Sequence, residues 1–267
     1  MPEGQISGRL RLVVLVHACL FAALASACAS KGNLIPEGTP EPDKFLFDRG
    51  NEALKDKKWV AAREHFTRLF DSYPQSPYRG DAKLGIGDSH LGEASTESIV
   101  LAINEFREFL TFYPTNRRAD YAQFQLASAH FKQMRGPERD QTETKDAVRE
   151  FESFLERYPN STLLGDARAK LREAKDRLSE SDYRVGLFYL RTRWYPGAID
   201  RFKTLLKNDA EFSRRDAVYF YLAEALVKAE KTAEALPYYE RLVQEFEQSE
   251  YLAETKRRIE QLKPKAG

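Results

Sequence analysis

An alanine is followed four residues later by an aromatic residue five times along the chain. Residues four positions apart lie on the same face of an α-helix, so this pattern predicts helices whose buried face combines a small and a large side chain. The five pairs are Ala62/Phe66, Ala102/Phe106, Ala147/Phe151, Ala198/Phe202 and Ala235/Tyr239. Composition alone would produce a few such pairs, so the case for a repeat depends on further residues in the same register.

A Tyr-Pro dipeptide follows each of the first three pairs at one fixed offset, and a small residue follows each proline at a second fixed offset. Proline cannot continue a helix and biases the preceding residue away from helical geometry, so we predict that these helices end at the tyrosines. An acidic residue shortly before each small residue suits the positive end of the next helix. The markers are Tyr73-Pro74, Tyr113-Pro114 and Tyr158-Pro159, then Asp81 with Ala82, Asp120 with Ala122, and Asp166 with Ala167.

These markers match the tetratricopeptide repeat (TPR), whose second helix carries Ala-x₃-Phe and then a turn proline. The predicted fold is therefore all-α, an α-solenoid of five TPR-like helical hairpins with a C-terminal capping helix at about 250–263. Successive alanines are 40, 45, 51 and 37 residues apart, more than the 34 of the regular repeat. The extra residues fall around 93–99, around 136–145, and in a long helix at about 163–179. Asn208-Asp209 and Gln248-Ser249 replace the proline in the last two copies and are acceptable turn residues.

The N-terminus has the layout of an export signal. Two arginines, Arg9 and Arg11, precede an apolar run that ends in small residues and is short for a membrane span. The stretch Leu24-Ala-Ser-Ala-Cys28 resembles a bacterial lipobox, in which the cysteine is acylated and becomes the first mature residue. We therefore predict a lipoprotein signal peptide over residues 1–27 and lipidation at Cys28. The alternative is an ordinary cleaved signal with an incidental cysteine.

Residues 28–43 are predicted to be the lipidated cysteine and a flexible tether, because they contain several prolines and no periodic apolar pattern. In bacterial lipoproteins an aspartate after the cysteine commonly causes inner-membrane retention, and here that residue is Ala29. The resemblance thus implies a lipid-anchored protein of the outer membrane, on its periplasmic face. Two further regions are expected: the N-terminal repeats 1–3 over residues 44–160, and repeats 4–5 with the capping helix over residues 161–267.

Composition argues against several classes of function. The 267 residues include 42 basic and 41 acidic side chains, and this balance argues against a nucleic-acid binder. Both cysteines lie before residue 29, so the body has no disulfide or thiolate metal cluster. His65, His90 and His130 form no metal-binding spacing, and the sequence has no Walker or nucleophile motif. We predict no enzymatic activity and no cofactor, and instead a concave groove that binds segments of other proteins.

The mature chain resembles the BamD (YfiO) family of TPR lipoproteins, which belong to the outer-membrane β-barrel assembly machinery. The resemblance covers residues 28 to about 255. The stretches that carry it are Tyr73-Pro-Gln-Ser-Pro-Tyr78, Phe109-Leu-Thr-Phe-Tyr-Pro114, Ala119-Asp-Tyr-Ala122, Phe154-Leu-Glu-Arg-Tyr-Pro-Asn-Ser161, Asp166-Ala-Arg168, Tyr183-Arg-Val-Gly-Leu-Phe-Tyr189 and Tyr195-Pro-Gly-Ala-Ile-Asp-Arg201. The Tyr-Pro-x-Ser elements are general to TPRs, and their combination with a lipobox and a long helix between the third and fourth repeats is more specific.

The resemblance implies partners. In that family the N-terminal repeats receive unfolded outer-membrane protein clients, the C-terminal repeats dock the barrel subunit BamA, and other lipoproteins join the complex. The family's docking arginine matches Arg201, which would pair with an acidic partner residue. The alternative is a surface arginine that pairs with its neighbour Asp200 or with nothing. The family's Asp-Tyr-Ala matches Asp120-Tyr121.

Two aromatic residues have more than one interpretation. Packing between repeats is the favoured interpretation of Trp59 and Tyr73, and partner binding is the alternative. A different function also stays open, namely a TPR scaffold of another envelope machine, such as a pilotin-like lipoprotein for pilus secretin assembly.

Overall fold

The structure is a computed structural model, and it describes residues 34–262. Within that range all regular secondary structure is helical, which confirms the predicted all-α fold. The eleven helices are α1 (Pro42–Lys55), α2 (Trp59–Ser72), α3 (Arg79–Glu93), α4 (Thr96–Phe112), α5 (Ala119–Gln133), α6 (Thr142–Arg157), α7 (Leu164–Arg191), α8 (Tyr195–Asn208), α9 (Arg215–Lys228), α10 (Thr232–Glu245) and α11 (Leu252–Leu262). None of these helices is both long enough and apolar enough to cross a bilayer.

Consecutive helices pair into five hairpins, α1/α2, α3/α4, α5/α6, α7/α8 and α9/α10, and each second helix also packs on the first helix of the next hairpin. The last helix, α11, packs on α10 at the end of the array, as predicted for a cap. The Ala-x₃-aromatic pairs lie on the second helices, and every member of the five pairs is completely buried. The Tyr-Pro tyrosines are the residues at which α2, α4 and α6 end, as the sequence predicted.

Phe66 fills the space between hairpins because glycines make room for its ring. A Cβ atom built on Gly50 of α1 would lie 2.5 Å from one edge of this ring, and one built on Gly85 of α3 would lie 2.4 Å from the opposite edge. In the same way, a Cβ atom on Gly87 would lie 2.7 Å from the ring of Phe106, and one on Gly186 would lie 2.4 Å from the ring of Phe202. These mid-helix glycines therefore allow close packing between helices.

At three places a serine hydroxyl joins the turn after a hairpin to the first turn of an earlier helix. Ser76, Ser161 and Ser249 each accept a hydrogen bond from the backbone N–H two residues later. Each also donates to a carboxylate in the first turn of an earlier helix. The three donor–acceptor pairs are Ser76–Asp43 at 2.7 Å, Ser161–Asp120 at 2.7 Å and Ser249–Asp216 at 2.6 Å. The serine of the Tyr-Pro-x-Ser element (Ser76 and Ser161), and Ser249 in a turn without the proline, thus tie the turn that ends one hairpin to the start of an earlier helix.

Helix α7 is one continuous helix of 28 residues. It contains the long helix predicted for residues 163–179 and extends it into the first helix of the fourth hairpin. Its first part packs on α6 and its second part on α8. Arg172 of the first part donates two hydrogen bonds, of 2.9 and 2.5 Å, to Asp209 at the end of α8, and Ser179 donates a third. Asp209 occupies the turn in which the fourth repeat lacks its Tyr-Pro.

The folded body begins before the predicted end of the tether. Leu34 and Ile35 pack against the apolar core of the first hairpin, and α1 begins at Pro42 rather than after residue 43. A turn closes between them, since Thr39 donates its backbone N–H and its hydroxyl to the carbonyl oxygen of Pro36. The remainder of the predicted tether, residues 28–33, lies outside the described residues, as do the predicted signal peptide and the lipidation site Cys28.

Candidate protein-binding surfaces

The first helices of the hairpins form one side of the array. The first helices of successive hairpins also contact each other, from α1 and α3 through to α7 and α9. In a curved stack the elements lie closest together on the inner side, so these helices line the concave surface.

A polar network on α3 and α5 contains Tyr121. Its hydroxyl donates to Oδ1 of Asp88 at 2.9 Å, and the side-chain amide of Gln125 donates to the same carboxylate at 3.2 Å. The guanidinium of Arg118 lies 4.6 Å from the centre of the Tyr121 ring. Burial raises the pKa of Asp88 above its ordinary value, although these hydrogen bonds oppose the shift. Burial and the neighbouring Asp88 carboxylate likewise raise the pKa of Tyr121. The sequence did not predict Asp88, because the carboxylate lies 33 residues before the tyrosine.

Asp120 is engaged within the repeat framework. Its carboxylate accepts the hydroxyl hydrogen of Ser161 and the backbone N–H of Tyr121. Asp43 and Asp216 accept the equivalent serine hydroxyls elsewhere in the array. Asp120 therefore has a structural role in this chain, and its predicted role in partner binding stays a prediction.

Trp59 and Tyr73 both make packing contacts and both remain half-buried. The indole of Trp59 lies over Gly92 at the end of α3, where a Cβ atom would come within 2.7 Å of the ring. Tyr73 packs against the core of the first hairpin. Their contribution to partner binding also stays a prediction.

Arg201 is paired within the chain, although not with Asp200. Its guanidinium donates to Oδ1 of Asp182 on α7 at 3.0 Å, and both side chains are 39% exposed. Asp200 lies on the exposed side of α8. The sequence offered Asp200 as the intrachain alternative for Arg201, whereas helix pairing brings Asp182 to it.

A cleft of about 430 Å³ lies where α6, α7 and the end of α8 meet. Asp182 lines this cleft together with Lys145, Lys175 and Asn208. The cleft thus lies at the boundary between the third hairpin and the fourth. Arg201 therefore lies beside the cleft, because its ion-pair partner Asp182 lines it.

Three side chains of the third hairpin place potential metal ligands within 4.8 Å of one another: His130, Glu143 and Asp146. Nδ1 of His130 lies 2.8 Å from Oε2 of Glu143, and Asp146 forms an ion pair with Arg149. Each potential ligand thus has a protein partner. His65 and His90 lie in partly buried positions where burial lowers the pKa of both imidazoles.

The sequence interpretation did not single out two exposed aromatic residues, Phe188 and Trp194. Phe188 lies in the last turn of α7 and Trp194 directly before α8, and each is 55% exposed. Aligning the repeats on their alanines would have revealed these two residues, because the positions that correspond to Phe188 and Trp194 in the other hairpins are not aromatic.

Comparison with known proteins agrees with this architecture. The family model described as YfiO, outer membrane lipoprotein, matches residues 40–235, which is more than half of the chain. The chain belongs to the YfiO family. It is also similar to the outer membrane protein assembly factor BamD of Caulobacter vibrioides, with 30% identity over 80% of this chain and 70% of that protein. The BamD protein of Vibrio cholerae is 26% identical over 73% of this chain and 84% of its own length. The BamD protein of Rickettsia prowazekii is also 26% identical, over 74% of this chain and 78% of its own length.

Membership of the YfiO family supports association with the outer membrane. Among solved structures, the chain is similar to the complex of the TPR2AB domain of yeast Sti1 with pHSP90. That match has a TM-score of 0.40 and 13% identity, and it covers 83% of this chain and 98% of the other. So distant a likeness adds nothing to the fold described above.

Proposed function

We propose that this protein is a lipoprotein subunit of the outer-membrane β-barrel assembly machinery. In this role it is a TPR scaffold without catalytic activity, which binds unfolded outer-membrane protein clients and a BamA-like barrel subunit. The carrying observation is an array of five hairpins, with an inner surface of first helices, in a chain of the YfiO family whose relatives are outer membrane protein assembly factors. The same family membership favours this role over a pilotin-like scaffold.

The test is affinity purification of the tagged protein from detergent-solubilised outer membrane. We expect a large β-barrel subunit and smaller lipoproteins to co-elute, identified by mass spectrometry. Co-elution of a pilus secretin in place of the barrel subunit would favour the alternative scaffold.

Client binding is assigned to the concave side of the first three hairpins. Tyr121 and the Asp88–Gln125 pair give this side polar groups that are already hydrogen-bonded, so an extended client would meet an ordered surface at low cost in side-chain entropy. Trp59 and Tyr73, each partly exposed, belong to the same N-terminal part of the array. Asp120 supports this surface through its bond to Ser161.

Docking of the barrel subunit is assigned to the fourth hairpin, with Arg201 as the charged contact and Asp200 beside it. Since the pair between Arg201 and Asp182 is exposed, it contributes only about 0–1 kcal/mol and a partner carboxylate can replace it. We predict that Arg201→Glu weakens binding of the barrel subunit about tenfold or more, because an attractive contact becomes a repulsive one. Binding is measured by interferometry, and helical circular dichroism should not change.

Lys203→Glu is the matched control for Arg201→Glu. Lys203 lies two residues further along the same helix and pairs with Glu234 of α10, so it points away from Asp182. Equal losses in both variants would indicate a general effect of charge and remove Arg201 from the docking site.

Anchoring at Cys28 has its own test. We predict that Cys28→Ala yields a soluble periplasmic protein, because the acyl chains would be absent. Fractionation in high salt measures the outcome. If the variant still sediments with membranes, another feature must hold the protein there.

A further inference from the structure

Three hairpins share the same turn between their two helices. The turn contains one residue with positive φ, and the next residue donates its backbone N–H to the carbonyl five positions earlier. The positive-φ residues are Lys57, Arg193 and Glu230, with φ of 59°, 63° and 61°. The donors that follow them are Lys58, Trp194 and Lys231, with N···O distances of 2.8, 2.9 and 2.9 Å. Because the geometry repeats, the turns of the first, fourth and fifth hairpins can be compared residue by residue.

This register shows that the fourth hairpin carries two unusual aromatic residues. Trp194 occupies the position of the lysines in the other two turns. Phe188 occupies the position of Glu52 in the first hairpin and Ala225 in the fifth. Both aromatic side chains are 55% exposed, so they contribute little to the core. The fold does not require an aromatic residue at either position, since two hairpins form the same turn without one.

The exposed indole of Trp194 is nevertheless held in one orientation. A Cβ atom on Gly197 would lie 2.5 Å from the indole. The indole can therefore pack directly against the backbone of Gly197, because this residue has no side chain. The ring of Tyr189, which packs against the core, meets the indole edge-on with centroids 4.5 Å apart, and Phe188 lies 5.9 Å from Tyr189. A large apolar side chain that is both exposed and fixed loses little entropy when a partner covers it.

The aromatic residues lie close to the arginine assigned to docking. Trp194 is the residue directly before α8, and Arg201 lies seven residues later within this helix. Seven residues make nearly two helical turns, so the two positions lie on the same side of the helix, about 10 Å apart along its axis. Arg191 and Arg193 are exposed beside the turn, and neither forms an ion pair within residues 34–262. The surface therefore combines apolar anchors with positive charge. It fits a partner that presents an apolar patch bordered by carboxylates.

We propose that Trp194 and Phe188 are the apolar anchors through which the fourth hairpin binds the periplasmic part of the BamA-like barrel subunit. This inference rests on the proposed function and adds to it the chemistry of the contact. Tryptophan and arginine are the side chains that most often dominate binding energy at protein interfaces. Arg201 supplies the charged contact, and the aromatic pair supplies the area removed from water.

The experiment replaces each anchor with the residue that the molecule itself uses at the equivalent position. Trp194→Lys follows the first and fifth turns, and Phe188→Glu follows the first hairpin, so both variants should fold with unchanged melting temperature. The full-length lipidated protein and the purified barrel subunit are mixed in detergent, and binding is measured by interferometry. We expect each variant to bind the barrel subunit at least about tenfold more weakly than the unsubstituted protein. Phe112→Lys is the control, because Phe112 is 67% exposed at the end of α4, far along the chain from this turn.

The possible outcomes separate this inference from the proposed function. If Arg201→Glu weakens binding while Trp194→Lys does not, the aromatic anchors are refuted and the proposed docking stands. If the unsubstituted protein does not bind the barrel subunit, the proposed function fails. Binding to vesicles of phosphatidylethanolamine and phosphatidylglycerol tests whether the aromatic pair contacts the lipid bilayer instead. The Cys28→Ala background is used here, so that the acyl chains do not themselves bind the vesicles. If Trp194→Lys abolished vesicle binding and left subunit binding intact, the aromatic pair would belong to the bilayer and the inference would be overturned.

Discussion

Gly85 offers the sharpest test of how the repeats pack. In an exposed helix, replacing glycine with alanine stabilises a protein by about 1 kcal/mol, because alanine is the better helix former. At Gly85 the added methyl group would lie 2.4 Å from the ring of Phe66, whereas ordinary van der Waals contact begins at 3.4 Å. The ring has little room to withdraw, since Gly50 packs against its opposite edge, where an added Cβ atom would lie only 2.5 Å away.

We predict that Gly85→Ala lowers the free energy of unfolding by up to about 2 kcal/mol. Overpacking a core costs about 1–3 kcal/mol, and the gain in helix propensity offsets about 1 kcal/mol of it. Urea denaturation followed by circular dichroism at 222 nm measures the change. Gly165→Ala is the control, because no atom lies within 4 Å of the position of its Cβ, and it should be neutral or stabilising.

A double-mutant cycle tests the stated cause. Phe66→Leu removes the edge of the ring that the new methyl group would strike, so Gly85→Ala should cost at least about 1 kcal/mol less in the Phe66→Leu background. The explanation is refuted if Gly85→Ala stabilises the protein as Gly165→Ala does, or if its cost is the same with either residue at position 66.

Two further predictions concern the turns. Burial alone would raise the pKa of Asp209, but hydrogen bonds from Arg172 and Ser179 outweigh it and hold the pKa below the ordinary 3.8. This bonding therefore stabilises the fold above about pH 4 and is lost as the pH falls through the lowered pKa. Asp209→Asn should thus destabilise the protein at pH 7 by about 1–3 kcal/mol and lose less stability on acidification, as urea titrations between pH 7 and pH 3 would show. Glu230→Gly should raise the free energy of unfolding by about 0.5–1 kcal/mol, because glycine adopts the φ of 61° without steric cost, and unchanged or lower stability would contradict this.

The sequence by itself determined the helices, their pairing into hairpins and the cap. These features depend on residues a few positions apart: Ala62 and Phe66 share one helix face, and Pro74 ends the helix that carries them. The same local chemistry predicted the first-turn carboxylate Asp120. It did not reveal that this carboxylate bonds Ser161, which lies 41 residues later.

Only the tertiary structure decided how the candidate surfaces are composed. Asp182 reaches Arg201 from 19 residues away, and Asp88 reaches Tyr121 from 33, because hairpin stacking sets which helix faces meet. The orientation of the exposed Trp194 likewise depends on its packing over Gly197. Residue spacing within one helix specifies a face, whereas the contacts between faces follow from the packing of separate helices.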